Sequence, residues 1–188
     1  MTTLAADIGG TNTRLALCDT PDAPRAVTRF RNADHPSLDA VLRAYLGAQG
    51  HPPVHAVCAA VAGPVRNGAA RMTNLDWEID TARLTAATGA AEAHVINDME
   101  AQGHALDDVD LRRVLGPAGR LDPRASRLVV GIGTGFNAAP VHPGGGGVGV
   151  RVVPSECGHA SMPVWDMASL GLAQALAARH GFASVEEA

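Results

Sequence analysis

Two short apolar segments near the start of the chain, joined by a polar turn with two glycines, restrict the fold more than any other feature. Leu4–Ile8 leads into Gly9-Gly10-Thr11-Asn12, and a second apolar segment, Leu15–Cys18, follows the turn. Glycine adopts positive φ without strain and lets the backbone approach a ligand closely. The pattern therefore predicts a β-hairpin whose turn exposes backbone N–H groups and small polar side chains.

The residue types around this turn favour a phosphate-binding function over a plain hairpin. Successive N–H groups in such a turn form a concavity that binds anions. Asp7 directly precedes the turn and would repel a phosphate unless a cation lay between them, so it indicates Mg²⁺, bound directly or through water. A hairpin without a ligand is the alternative, but Thr11 and Asn12 after the glycines favour the phosphate interpretation.

Composition excludes several classes of protein. The chain has 188 residues, 46% of them hydrophobic, and a formal net charge of −4, which does not favour nucleic-acid binding. No apolar segment reaches the roughly 20 residues that span a bilayer, and we expect no membrane association. All 15 cationic residues are arginine, which excludes the lysine-dependent P-loop NTPases and protein kinases. The three cysteines are far apart and form no CxxC motif, which fits a cytoplasmic protein.

The order of predicted elements indicates a mixed α/β protein, because a meander of strands comes first and strands then alternate with helices. Ser37 is the expected N-cap of a helix whose apolar residues from Leu38 to Leu46 follow helical spacing. Val54–Ala62 is nearly all apolar, as expected for a strand buried on both faces. Residues 116–126 are rich in Gly, Pro and Arg and are interpreted as a boundary between residues 1–115 and 116–188.

Asn97 and Asp98 lie at a predicted strand-to-helix junction, in the sequence Asn-Asp-Met-Glu-Ala. Ligands of α/β sheets gather at the C-terminal ends of strands. Asp98 could accept a proton from a substrate hydroxyl, and Asn97 could bind a neighbouring hydroxyl. Asp98 could equally cap a helix that begins at Met99, and the two interpretations are compatible.

Two further patterns resemble ligand-binding turns. Gly131-Ile132-Gly133-Thr134-Gly135 ends one predicted strand and begins another, so it is either a second phosphate cradle or a hairpin turn. Glu156-Cys157-Gly158-His159 places a carboxylate and an imidazole three residues apart, which suits paired contacts to sugar hydroxyls. The alternatives are an exposed polar loop or a zinc site, but no ligand cluster accompanies the motif.

The order of these four motifs resembles the bacterial-type glucokinases, which belong to the superfamily of sugar kinases, actin and Hsp70 ATPases. Met72-Thr73-Asn74, with Trp77 after it, is similar to a further segment of that family. The resemblance implies an α/β, ribonuclease H-like (actin-like ATPase) lobe with a mixed sheet flanked by helices, followed by the start of a second lobe. Residues 1–115 would form the small lobe with the first phosphate loop and the catalytic aspartate, and residues 116–188 the N-terminal part of the large lobe.

The resemblance also implies the reaction, the Mg-ATP-dependent phosphorylation of D-glucose at O6, which is the first step of glycolysis. Asp98 resembles the catalytic base. The residues similar to hexose ligands are Asn97, Glu156, His159 and, in a weaker local match, Glu186. The residues similar to the ATP-phosphate ligands are Ala6, Asp7, Ile8, Gly9, Gly10, Thr11, Asn12, Gly133, Thr134 and Gly135. Asp7 would hold Mg²⁺, through water.

The chain departs from the family pattern at two residues and in length. Cys157 stands where the family commonly has glycine, and Asn137 replaces a glycine of the second phosphate loop. Family members extend well beyond residue 188, so we expect a truncated chain that leaves apolar faces uncovered and has weak or no kinase activity alone.

Two other functions are weighed against glucokinase. One is a related hexose or amino-sugar kinase of the repressor–kinase group, which commonly carries a cysteine-rich zinc motif; residues 160–188 contain no cysteine. The other is a truncated, non-catalytic sugar-binding protein. Family members are often homodimers, and the alternatives for the phosphoryl donor are ATP, ADP and polyphosphate.

Overall fold

The computed structural model describes residues 1–21, 23–72, 75–109, 112, 114, 115, 122, 124–132, 136–145 and 149–184. The chain divides into two compact units, Met1–Ala101 and Gln102–Ala188. The elements of the first unit are β1 (Thr3–Ile8), β2 (Asn12–Cys18), β3 (Pro24–Arg31), α1 (Leu38–Ala48), β4 (Ala56–Val61), β5 (Val65–Arg66), β6 (Ala69–Arg71), β7 (Glu78–Asp80), α2 (Thr81–Thr88) and β8 (Glu92–Asn97). Helix α3 (Asp98–His104) begins in the first unit and ends in the second.

The main sheet of the first unit is mixed, as predicted, with the strand order β3-β2-β1-β4-β8. Strands β1, β2 and β3 form an antiparallel meander, whereas β1, β4 and β8 run parallel. In the parallel part Ile8 is in register with Val61, and Val61 with Asn97. The segments that follow these three residues therefore leave the sheet at the same end of the parallel strands.

Helix α1 covers this sheet through the apolar residues that the sequence predicts. The Ser37 side chain accepts a hydrogen bond of 3.3 Å from the Ala40 N–H, which confirms Ser37 as the N-cap. Val41, Leu42 and Tyr45 are completely buried. Burial of each such side chain stabilises the fold by about 1.5–3 kcal/mol.

The structure corrects the predicted bounds in several places. Helix α1 extends two residues beyond the predicted apolar spacing, from Leu46 to Ala48, and β4 is shorter than Val54–Ala62. The antiparallel sheet β5-β6-β7 was not predicted, because strands of two or three residues are too short to show alternation.

The second unit contains an antiparallel sheet in the order β11-β10-β9. Its elements are β9 (Arg127–Ile132), β10 (Phe136–Pro143), β11 (Val150–Val152) and α4 (Met167–His180). Gly103 of α3 lies against this sheet so closely that a Cβ atom there would be 2.6 Å from a methyl group of Val152.

One face of β9 is apolar and exposed. Leu128, Val130 and Ile132 alternate along the strand and are 59%, 47% and 83% exposed. This confirms the prediction of uncovered apolar surface. Among the described residues no helix is long and apolar enough to cross a membrane.

Candidate phosphate loop and active-site residues

The turn between β1 and β2 is the β-hairpin turn that the sequence predicts. The Gly9 N–H donates to the Asn12 carbonyl oxygen at 3.0 Å, and Ile8 pairs with Thr13. We refer to Gly9, Gly10, Thr11 and Asn12 as the glycine loop. It follows the C-terminal end of a strand at the centre of the main sheet, where α/β proteins commonly bind ligands.

Ala6 and Ile8, two of the predicted ATP-binding residues, have their side chains in the hydrophobic core. They are 4% and 0% exposed. The Ile8 carbonyl also accepts a hydrogen bond from the Ala62 N–H at 2.9 Å. Ala6 and Ile8 therefore anchor the strand that leads into the glycine loop. Their side chains face the core, away from a ligand bound at the loop.

The glycine loop has a partner that sequence reasoning missed. Asn32 follows β3 and is 1% exposed. Its Nδ2 donates to the Gly9 carbonyl oxygen at 2.8 Å, and its backbone N–H donates to the Thr11 carbonyl oxygen at 2.9 Å. A single polar residue after a strand gave no signal strong enough to identify it.

Asp7 has the exposure that a cation ligand beside the glycine loop needs. Its side chain is 58% exposed and lies 3.5 Å from the Arg14 guanidinium, in an ion pair too exposed to stabilise the fold much. Mg²⁺ prefers oxygen ligands and usually retains water, so one accessible carboxylate fits it when substrate phosphates supply further oxygens. Among the described residues no three His, Cys, Asp or Glu side chains form a metal-binding group.

Asn97, rather than Asp98, is the main cap of helix α3. Its Oδ1 accepts hydrogen bonds from the Met99 N–H at 2.9 Å and the Glu100 N–H at 3.4 Å. The Glu100 carboxylate accepts in return from the Asn97 N–H at 3.4 Å. This reciprocal arrangement is a capping box, and it starts the helix at Asp98, one residue earlier than predicted.

The Asn97 side chain also ties the end of β8 to the segment after β4. Its Nδ2 donates to the Gly63 carbonyl oxygen at 3.0 Å, and the residue is 1% exposed. Both polar atoms of the side chain thus hold the backbone around Asp98. The contact of Asn97 with a sugar stays a prediction.

Asp98 is half-buried, and its Oδ1 accepts a hydrogen bond of 2.8 Å from the Met99 N–H. Burial raises the pKa of the Asp98 carboxyl above its ordinary value, and the nearby charge of Asp7 adds to this rise. The hydrogen bond from Met99 opposes both effects. A carboxylate with a raised pKa is a stronger base, which suits proton abstraction from a hydroxyl.

The Glu156–His159 motif lies in the second unit, where Cys157–His159 form a short 3-10 helix. The His159 N–H donates to the Glu156 carbonyl oxygen at 3.1 Å, and both side chains are exposed. This is the geometry of an accessible polar turn.

The two residues that depart from the family pattern contact one another. The Cys157 Sγ lies 3.7 Å from the Asn137 Oδ1, and the Asn137 Nδ2 lies 3.5 Å from the Glu156 Oε2. Two glycines of the common pattern are thus replaced by a pair of interacting side chains beside the predicted sugar ligand Glu156.

Four predicted site residues lie outside the described residues, namely Gly133, Thr134, Gly135 and Glu186. Thr73 and Asn74 of the additional family segment also lie outside them. Their predicted roles stay predictions.

Comparison with known proteins finds the same family that the order of the motifs resembles. The family profile for glucokinase matches residues 4–188. A glucokinase from Saccharophagus degradans is 30% identical over 188 residues, which cover 97% of this chain and 58% of the relative.

Solved structures share the fold. A glucokinase from an Antarctic psychrotroph, 33% identical, superposes with a TM-score of 0.75 over 98% of this chain and 59% of its own. A ROK-family glucokinase from Streptomyces griseus, crystallised with glucose and AMPPNP, is 21% identical and superposes with a TM-score of 0.58 over 87% and 51% of the two chains.

The chain therefore spans a little over half the length of the relatives that it matches. Its fold is the actin-like ATPase fold of the sugar kinases, as predicted. The match to the family profile covers nearly all of the sequence, and the chain belongs to the glucokinase family.

Proposed function

We propose that this chain acts in the ATP-dependent phosphorylation of D-glucose at O6, with Asp98 as the general base. The observation that carries the proposal is the placement of Asp98. Asp98 follows the C-terminal end of β8, and the glycine loop follows the C-terminal end of β1, so both lie at the same end of the parallel strands. The Asn97 capping box fixes the backbone of Asp98. Membership of a sugar kinase family makes a hexose hydroxyl the proton donor to expect at such a carboxylate.

The proposed chemistry needs positioning more than covalent catalysis. Asp98 accepts the proton of the glucose 6-hydroxyl as that oxygen forms a bond to the γ-phosphorus of ATP. The bond from the γ-phosphorus to the bridging oxygen breaks, and ADP leaves with that electron pair. The raised pKa of Asp98 favours the proton transfer, because it makes the carboxylate more basic.

The phosphates of ATP are assigned to the glycine loop and to Gly133–Gly135. Backbone N–H groups can neutralise part of the phosphate charge without a lysine, which this chain lacks. Asp7 would hold Mg²⁺ through water. When bound, the cation would offset the negative charge of the phosphates.

The sugar is assigned to Asn97, Glu156, His159 and Glu186. The exposure of Glu156 and His159 supports this role, because both can reach a ligand in solvent.

We further propose that residues 1–115 are the small lobe and that residues 116–188 belong to the large lobe, and that a homodimer is the state to test.

A coupled assay for the ADP that is released tests this function. The 188-residue chain is mixed with Mg-ATP and, in parallel, with glucose, mannose or N-acetylglucosamine, while calorimetry measures the binding of each sugar. Because activity of the chain alone is expected to be weak, the protein is used in excess over the sugar.

We expect glucose to bind and to be phosphorylated faster than the other sugars. Faster phosphorylation of N-acetylglucosamine would identify an amino-sugar kinase instead. Glucose binding without any phosphoryl transfer would identify a sugar-binding protein, and either result would overturn the proposal.

A further inference from the structure

We propose that Asn32 is a positioning residue that holds the glycine loop in its phosphate-binding conformation. The inference rests on the proposed function and extends it to a residue outside the motifs. Asn32 lies 23 residues from Gly9 in the sequence, and three hydrogen bonds join it to the loop and to β2.

Asn32 holds two carbonyl groups of the glycine loop. Its Nδ2 donates to the Gly9 oxygen at 2.8 Å, and its N–H donates to the Thr11 oxygen at 2.9 Å. Its remaining side-chain atom, Oδ1, accepts a hydrogen bond of 2.8 Å from the Thr13 hydroxyl. Thr13 is completely buried, and its hydroxyl provides the Oδ1 atom of Asn32 with a hydrogen-bond partner away from the loop.

The bond to Gly9 determines where the next N–H group points. A trans peptide is planar, and its C=O and N–H groups point in opposite directions. The Gly9 carbonyl points towards the buried Asn32 side chain, so the N–H of Gly10 points away from that side chain. Glycines at positions 9 and 10 leave this peptide free to rotate, and Asn32 stops the rotation.

Few other side chains could perform this function. The position needs a donor towards Gly9 and an acceptor towards Thr13 within one short side chain, and an amide supplies both. Asn32 is 1% exposed, so water has little access to replace either contact.

The test separates the contact with Gly9 from the contact with Thr13. Thr13→Val removes the hydroxyl and leaves the Asn32–Gly9 bond. The double variant Thr13→Val/Asn32→Leu removes both contacts without adding a charge, and Asn32→Ala serves in its place if the double variant does not fold. Calorimetry then measures the affinity of each protein for Mg-ATP and for glucose.

We expect Thr13→Val to bind Mg-ATP as the wild-type chain does. Loss of Asn32 should weaken Mg-ATP binding by about tenfold and leave glucose affinity unchanged, because one buried hydrogen bond that shapes the loop is lost. A merely structural role would lower the unfolding midpoints of both variants without this selective loss. Equal Mg-ATP affinities for the two variants would overturn the inference.

A ligand-free measurement distinguishes failure of this inference from failure of the proposed function. If the wild-type chain binds neither Mg-ATP nor glucose, the proposed function fails. Crystal structures of Asn32→Ala and Thr13→Val then decide the inference alone. A rotated Gly9–Gly10 peptide in Asn32→Ala only would support it, and an unchanged peptide would contradict it.

Discussion

Replacement of Asn97 by alanine should destabilise the first unit through two separate contacts. The Oδ1 of Asn97 caps helix α3, and loss of an N-cap costs about 1 kcal/mol. The Nδ2 bond to the Gly63 carbonyl is partly buried, and its loss costs about 1 kcal/mol more. We therefore expect Asn97→Ala to lower the free energy of unfolding by about 2 kcal/mol.

Asn97→Ser is the matched control. Serine is a good N-cap, but its shorter side chain does not reach the Gly63 carbonyl, so this variant should lose only about 1 kcal/mol.

Urea unfolding followed by tryptophan fluorescence measures both effects. Trp77 belongs to the first unit and is 4% exposed, whereas Trp165 is 74% exposed and should change little on unfolding. With a typical urea dependence of about 2 kcal/mol per M, the midpoint should fall by about 1 M for Asn97→Ala and half of that for Asn97→Ser. Equal midpoints for the two variants, or no decrease for alanine, would refute the reasoning.

Three further predictions concern other residues. Asp98→Asn should raise the thermal midpoint at neutral pH. The folded chain raises the pKa of Asp98 above its ordinary 3.8, so the charged carboxylate destabilises the fold at neutral pH, and asparagine removes that charge. The gain should disappear when melting is measured below pH 3.8, where the carboxyl is protonated in both the folded and the unfolded chain. Gly103→Ala should lower the unfolding free energy by about 1–2 kcal/mol, since overpacking exceeds the helix-propensity gain, whereas Gly171→Ala, which has open space, should be neutral or stabilising in a urea titration followed by circular dichroism. In a double-mutant cycle of glucose affinity, Asn137→Gly and Cys157→Gly should show a coupling of at least about 0.5 kcal/mol, and strict additivity would contradict their interaction beside Glu156.

The sequence predicted the features that depend on local pattern. The apolar spacing from Leu38 to Leu46 determines the buried face of α1, and the glycine pair at residues 9 and 10 determines the first hairpin. The Asn97-Asp98 junction was also found, because a strand-to-helix transition changes the apolar period there.

The features that were missed depend on contacts between distant segments. Asn32 reaches Gly9 across 23 residues, and no local period marks such a contact. Asn137 and Cys157 were each recognised as departures from the family, but only the structure brings them together. The sequence suggested Asp98 as the cap of α3, whereas the hydrogen bonds identify Asn97 as its main cap. Both residue types are favourable at a helix N-cap, so only the structure distinguishes them.

Single-turnover transfer of labelled γ-phosphate from ATP to glucose by the wild-type chain, Asp98→Asn and Asp34→Asn tests the central claim most directly. Asp34→Asn removes the same charge as Asp98→Asn. It serves as the control because Asp34 is exposed and lies outside the glycine loop. Asp98→Asn should slow the transfer by about 10²- to 10⁴-fold, as expected for loss of a general base, while glucose affinity stays unchanged. Equal transfer rates for Asp98→Asn and Asp34→Asn would contradict the assignment of Asp98 as the base.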